Sequence, residues 1–169
     1  MVAGLIERKT GQALDKFAEA VLFKPLGITS YEWLGSQLWP EDSSPSAASG
    51  LRLTGRDLAK FGSLYLHQGR WQGQQVIPAD WIARSITRHV QDNPWGPPGM
   101  FGYGFMWYPG RVQEGGGFAI VRAAGNGDQR IFILPDHDIV VTTFAGFYNQ
   151  DKWMSPEIVQ RVLAALGGP

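Results

Sequence analysis

The stretch Phe118-Ala-Ile-Val-Arg-Ala-Ala-Gly125-Asn126-Gly127-Asp128-Gln129-Arg-Ile131-Phe-Ile-Leu134-Pro135-Asp136-His137-Asp138-Ile139-Val-Val-Thr-Thr-Phe144 decides how the rest of the chain is read. β-branched and aromatic residues fit a pleated, half-buried surface, and Pro/Asp clusters interrupt it. The runs on either side of Pro135–Asp138 therefore predict a hairpin. Gly125-Asn126-Gly127 is placed on the neighbouring strand, where glycine lets a second backbone or a substrate come close. A strand offering backbone N–H groups to a ligand makes an oxyanion and peptide-binding edge. The same three residues also fit a bulge or turn between strands.

Working outward, Tyr103-Gly-Phe-Met-Trp-Tyr108 predicts another strand and Gly115-Gly-Gly117 a turn. The expected antiparallel sheet thus runs near 103–108, 118–124, 129–135 and 138–146. Before it come helical patterns. Leu14, Phe17, Ala18, Val21 and Leu22 follow one helical face, with Pro25 and Gly27 ending it. Residues 1–9 read as helix too, and Thr10-Gly11 predicts a bend between two helices. The chain is expected to begin inside an element.

Residues 29–50, rich in Ser, Pro and Gly and carrying Trp33 and Trp39, form a long irregular loop. Thr54-Gly-Arg-Asp57 has the capping-box spacing, and Leu58, Phe61, Gly62 and Tyr65 mark the buried face of the helix that follows. Gly69–Gly73 is a turn. Pro78 leads into a short helix with Trp81, Ile82 and Ile86 inward. Asn93–Gly99 is a second loop. Ser155-Pro-Glu157 supplies a cap, a first-turn proline and favourable negative charge for a last helix facing inward through Val159, Val162, Leu163 and Leu166, stopped by Gly167-Gly168. Helices, then a sheet, then a helix laid across it is an α+β order. The expected organisation is one partial domain over 1–169: helices over 1–28, a helical and loop region over 29–100, antiparallel strands over 101–148 and a C-terminal helix over 155–166.

A chain of 169 residues with 44% apolar and 12% aromatic content can build one packed core. Fifteen basic and fifteen acidic side chains leave no basic run to follow a phosphate backbone, which argues against nucleic acid as a partner. No apolar run approaches the roughly 20 residues that cross a bilayer. The N-terminus lacks the charged region and long apolar core of a secretory signal, and no feature fixes a compartment. Zero cysteines exclude disulfides and thiol nucleophiles, and the histidines at 67, 89 and 137 are too scattered for a metal site.

A nucleophile needs a base within reach and donors for the developing oxyanion. None of the serines opens a Ser-x-x-Lys, and neither Gly-x-Ser-x-Gly, Tyr-x-Asn nor Tyr-x-Ser occurs. His137 reads as a solvated turn residue, and His67 as a helix-end cap facing the dipole. Trp33, Trp71, Trp95, Trp107 and Trp153 could line a sugar or aryl pocket, although aromatic packing is the commoner use.

Leu5-Ile-Glu-Arg-Lys-Thr-Gly-Gln-Ala-Leu14 running to Leu22-Phe-Lys-Pro-Leu-Gly-Ile28 resembles the helix pair of the penicillin-recognising serine hydrolases: class C β-lactamases, DD-peptidases and related esterases. Ser49-Gly-Leu-Arg-Leu-Thr54-Gly-Arg-Asp57-Leu-Ala-Lys-Phe61 is similar to the same family's segment, and Gly69-Arg-Trp-Gln-Gly73 and Gly102-Tyr-Gly-Phe-Met-Trp107 follow in the expected order. The resemblance covers nearly the whole chain. It implies the C-terminal part of a β-lactamase-like fold, with Gly125-Asn126-Gly127 at the family's third motif. Family members attack a carbonyl with the serine of Ser-x-x-Lys, move the proton with lysine and tyrosine, and hold the acyl group along the third-motif strand.

For this chain the resemblance implies a binding wall without a catalytic residue. Gly125, Asn126, Gly127, Asp128 and Tyr103 would face the substrate, with Ser49 and Gly50 beside them, and the backbone of Asp128 would give one oxyanion N–H. The first and second motifs would precede Met1. Asn126 replaces a cationic or hydroxyl side chain, which favours ester or amide substrates over those bearing a carboxylate, as β-lactams do. No cofactor or metal is implied. The expected partners are a small ester, amide or β-lactam in the parent protein, and a second copy or a complementing N-terminal chain on the uncovered face. A non-catalytic module binding a partner through that face is the alternative.

Overall fold

The structure, a computed structural model, describes residues 2–35, 44–92, 99–112, 117–150 and 152–165. Ser36, Trp39, Ser43, Trp95, Gly115, Gly116, Leu166, Gly167, Gly168 and most of the Asn93–Gly99 loop lie outside the described residues. The chain divides into two compact units, Met1–Asp57 and Leu58–Pro169.

In the first unit, α1 (Val2–Thr10) ends where the Thr10 hydroxyl donates to the Ile6 carbonyl at 2.8 Å, and Gly11 turns the chain. The second helix follows after the expected bend: α2 (Leu14–Ala18) passes into a π turn over Glu19–Phe23. The stripe departs from expectation there. Val21 is 46% exposed, whereas Phe23, Leu26 and Ile28 are buried. A π turn closes i→i+5 bonds, seen in Lys24 N–H to the Glu19 carbonyl at 2.9 Å, so side chains past Glu19 rotate off an α-helical stripe. The Ser/Pro/Gly loop is tied at its ends. Strand β1 (Glu32–Trp33) pairs antiparallel with β2 (Leu51–Arg52), and the Trp33 indole donates to the carbonyls of Ser46 and Ser49.

Helix α3 (Gly55–Leu66) starts as its spacing predicts: Thr54 Oγ1 accepts the N–H of Asp57 at 3.2 Å and donates to Asp57 Oδ2 at 2.7 Å. In the second unit it is followed by the hairpin β3 (Arg70–Trp71) and β4 (Gln74–Gln75), then by α4 (Ala79–Ser85). Ile82 is buried on α4 while Trp81 is 44% exposed, which corrects the inward reading of that tryptophan. Neighbours on a helix are about 100° apart, so a seven-residue helix directing Ile82 and Ser85 inward turns Trp81 aside; its ring stacks on Phe105 instead.

The sheet is a four-stranded antiparallel meander of β5 (Tyr108–Val112), β6 (Phe118–Gly125), β7 (Gln129–Leu134) and β8 (Ile139–Thr143). Its register sets the layers. Ile120, Phe132 and Leu134 cluster with Val159 of α5 (Ser155–Ala165) on one face, and Val121, Ile131 and Ile133 pack with Trp107 and Phe61 on the other. Burial on both faces explains why Ile131-Phe-Ile-Leu134 shows no polar alternation. Gly62 makes close approach possible: a Cβ there would sit 2.5 Å from Val140 Cγ1 and 2.8 Å from Ile131 Cγ2.

Two expectations about strands need correction. The segment 103–108 is not a strand: Gly104 N–H donates to the Trp107 carbonyl, Phe105 N–H to the Ser85 carbonyl, and Met106 has φ +65°. That tight turn folds 101–104 against 107–110, and regular pairing begins only at Tyr108. The triplet Gly125-Asn126-Gly127 is likewise not a strand interior. It closes the β6–β7 hairpin, whose last paired residues are Gly125 and Gln129. Across Pro135–His137 the expected hairpin forms through a 3₁₀ turn, with Asp138 left-handed at φ +55°. Among the described residues no helix is long and apolar enough to cross a membrane.

Candidate functional site

Three residues, Asn126, Gly127 and Asp128, join β6 to β7. A three-residue hairpin loop needs left-handed backbone, and the chain meets that with Gly127 at φ +89° and Asp128 at φ +69°. Glycine is required at 127 for a second reason: an added Cβ would stand 2.8 Å from the Tyr148 ring. Gly127 also bridges Phe147, so the segment after β8 lies along the tip.

Asp128 is only 2% exposed, and its carboxylate is fully engaged. Oδ2 accepts the backbone N–H groups of Met154 at 2.9 Å and Ser155 at 3.0 Å, while Oδ1 accepts the Ser155 hydroxyl at 2.7 Å. These groups open α5, where unpaired N–H groups and the helix dipole favour an anion. Arg130 Nε lies 3.4 Å from Asp128 Oδ1, and its guanidinium also donates to the carbonyls of Gly125 and Gln129. Burial lowers the pKa of Arg130, and the charge of Asp128 opposes that shift. On the far side Thr143 Oγ1 donates to the Asp128 carbonyl. Asp128 thus joins the tip to the last helix through its side chain and to the edge strand β8 through its carbonyl.

Other side chains at the tip pair as well, although the buried Oε1 of Gln129 has no hydrogen-bond partner among the described residues. Asn126 and Asn149 pair reciprocally, Nδ2 to Oδ1 at 2.9 Å and backbone N–H to Oδ1 at 3.0 Å. Gln129 donates to the Ala145 carbonyl at 2.8 Å and to the Tyr148 hydroxyl at 3.2 Å. With the Asp128 carboxylate engaged and Asn126 paired to Asn149, the tip is a fixed turn whose main chain is itself partly covered, through the Gly127–Phe147 bridge.

The structure gathers Gly125, Asn126, Gly127 and Asp128 at this one tip. Tyr103 packs elsewhere in the second unit: its ring lies 5.0 Å from that of Tyr108, and its hydroxyl meets Met106 Sδ at 3.2 Å. Tyr108 pairs with Arg122, three residues or about 10 Å of strand from Gly125. Ser49 and Gly50 belong to the first unit, where their carbonyls accept from Trp33 Nε1 and Leu34 N–H. The sequence reading missed the carboxylate role of Asp128 and the clasp by Gln129, Tyr148 and Asn149. Ser155-Pro-Glu157 was a usable signal, since it marks a helix start that an anion can cap.

His67 follows the last residue of α3, with Nδ1 2.9 Å from the Ser63 carbonyl and Nε2 3.7 Å from Asp138 Oδ1, as a helix-end histidine should. His137 is exposed in the 3₁₀ turn, its ring edge-on to Phe118. Among the described residues no cluster of His, Asp and Glu could hold a metal ion.

A family model described as Beta-lactamase matches residues 1–167. Among solved structures, a candidate 6-aminohexanoate-dimer hydrolase from Bacillus anthracis shares the fold at TM-score 0.74 and 19% identity, covering 97% of this chain and 40% of that one. The octameric penicillin-binding protein homologue from Pyrococcus abyssi gives TM-score 0.74 at 17% identity, over 98% of this chain and 40% of its own. A D-stereospecific amidohydrolase from Streptomyces sp. gives 0.58 at 19% identity, over 94% and 50%. No curated protein matches. The chain therefore spans between 40% and 50% of the length of these three structures.

Proposed function

The chain belongs to the β-lactamase family, a family of hydrolases, and from that premise we propose that it supplies the substrate-side wall of a serine acyl-transfer site. The observation that carries this reading is the tip itself: Gly125–Asp128 ends a β-ladder and is locked to α5 through the Asp128 carboxylate. In this reading the Asp128 N–H is one of two oxyanion donors, and the other comes with the nucleophile. The 169 residues contain no Ser-x-x-Lys, so the attacking serine and its lysine and tyrosine partners are contributed by other sequence. Asn126 offers an uncharged amide, with one donor already given to Asn149, where a cationic or hydroxyl side chain would anchor a carboxylate, and the wall suits an ester or amide acyl group.

An oxyanion donor without a nucleophile gives only residual assistance. The chain by itself is therefore expected to release no burst of product from nitrocefin or p-nitrophenyl butyrate. A stoichiometric burst from the purified 169-residue chain would overturn the reading. A second reading, a non-catalytic module that associates with a partner or with itself, is favoured by the apolar side chains around the tip: Phe144, Tyr148, Trp153 and Met154 are all more than half exposed. In-frame upstream sequence carrying Ser-x-x-Lys and Tyr-x-Asn supports the first reading, and upstream sequence without them supports the second.

A further inference from the structure

The two edges of the four-stranded sheet are built differently. At β5 the outer side is occupied: Gly102 N–H donates to the Pro109 carbonyl at 2.9 Å, and Arg111 N–H donates to the Met100 carbonyl at 3.3 Å. Pro109 has no N–H to offer a further strand, and Arg111 adds a charge beside it. Strand β8 carries none of these protections. It is the last strand of the sheet, and among the described residues no strand lies beyond it. Its sequence, Ile139-Val-Val-Thr-Thr143, is β-branched throughout, uncharged and free of proline. It pairs with β7 residue for residue, so no bulge turns the edge away.

This is the composition of an interior strand. Ile139 and Val141 pack against the cluster of Ile120, Phe132, Leu134 and Val159, while Val140 packs against that of Trp107, Val121, Ile131 and Ile133. A strand covered on both faces and paired along one side presents backbone donors and acceptors that another extended chain satisfies in register. The identity of that chain follows from the symmetry of β8. A two-fold axis through Val141 overlaps all five residues, setting Ile139 against Thr143 of a second copy and Val141 against its own counterpart. Any other register leaves part of the strand unpaired. No like charges meet across such a pair, and a formal net charge of zero puts no long-range repulsion in its way. The apolar layer of Ile139 and Val141 then continues from one sheet into the next. Asp138, left-handed at φ +55°, bounds the paired segment at one end, and the half-exposed Phe144 bounds it at the other.

We propose that β8 is a homodimer edge: a second copy of this chain adds to it antiparallel, with the two-fold axis at Val141, and joins two four-stranded sheets into one. The pairing gives the self-association of the second functional reading a specific surface and register. It involves neither the hairpin tip nor acyl transfer, so the burst experiment and the one below fail independently.

The chain has no cysteine, which makes a single introduced thiol a position-specific probe. Directly opposite residues of an antiparallel pair hold their Cβ atoms about 4.5–5.5 Å apart, near enough for a disulfide to close with a small adjustment. Val141→Cys in the full 169-residue chain should oxidise to a disulfide-linked dimer at tens of micromolar. Arg111→Cys, on the occupied edge, should stay monomeric although its position is the more exposed of the two. Amide exchange supplies a readout that needs no substitution: raising the concentration of the unmodified chain from low to high micromolar should slow exchange within Ile139–Thr143 and leave Tyr108–Val112 unchanged. Crosslinking of Val141→Cys no faster than that of Arg111→Cys, or β8 amides that exchange equally fast at every concentration, would each overturn the proposal.

Discussion

Asp128 concentrates most of what holds the candidate site in shape. Replacing it with alanine removes two backbone acceptor contacts and one hydroxyl contact at the start of α5, and leaves Arg130 without its counter-ion. Losing charge-assisted bonds at a buried position costs about 3 kcal/mol. Asp128→Ala should therefore lower the urea midpoint by that equivalent, and Asp128→Asn, which keeps one acceptor, by roughly half as much. A loss below about 1 kcal/mol for the alanine variant would show that the cap is not what fixes the tip. None of this was readable from Asp128 in sequence. The glycines on either side announce a turn or a close approach, but an aspartate in a polar turn looks like any solvated turn residue. Only the return of the chain over the tip, with Met154 and Ser155 lying 26 and 27 residues beyond Asp128, makes it a buried cap. Gly127 was legible as a close approach, which the neighbouring Tyr148 ring bears out, although it lies at φ +89° in a hairpin loop and not on the strand where the sequence placed it.

At the scale of elements, the β-rich runs were legible as strands and their Pro/Asp punctuation as a hairpin, since pattern and turn chemistry agree there. The run 103–108 misled because Phe, Trp and Tyr have strand propensity wherever they sit; Met106 at φ +65° overrides it. The π turn after α2 was invisible for a similar reason: its sequence is good α-helix, and the extra residue per turn leaves no compositional mark. It does leave an electrostatic one. Lys24 Nζ lies 3.2 Å from Glu19 Oε1, an i,i+5 pairing that a regular α-helix would separate around its axis. Hydrogen bonding and charge from Lys24, then the Tyr31 hydroxyl, hold the Glu19 carboxyl below its ordinary value. The sign follows: the pairing stabilises the fold above the unfolded carboxylate pKa and is lost as pH falls through the lower folded value. An NMR titration of Glu19 should show that value rise in Lys24→Ala, and by less in Tyr31→Phe; no change in Lys24→Ala would mean that the Glu19–Lys24 pair does not form. On α3, Gly62→Val forces a branched side chain into Val140 and Ile131, and should cost about 2 kcal/mol in thermal or urea unfolding, with Gly62→Ala milder.

For the molecule as a whole, the order of helices, sheet and last helix gave the fold class, and the resemblance of the segments Leu5–Ile28, Ser49–Phe61, Gly69–Gly73 and Gly102–Trp107, taken in sequence, pointed to the family. What the order could not show is which surfaces are covered. Helix α1 buries none of its side chains, and Phe144, Tyr148 and Trp153 face outward near the tip. Patches of this kind favour association, so sedimentation velocity at tens of micromolar should show species larger than a monomer. A single monomeric boundary at that concentration would contradict the expectation. The central claim, that these 169 residues furnish a docking wall while the reactive alcohol lies in other sequence, is tested most directly by intact-protein mass spectrometry after incubation with a serine-directed fluorophosphonate. The account predicts an unmodified mass; a stoichiometric adduct on any serine of the chain would contradict it.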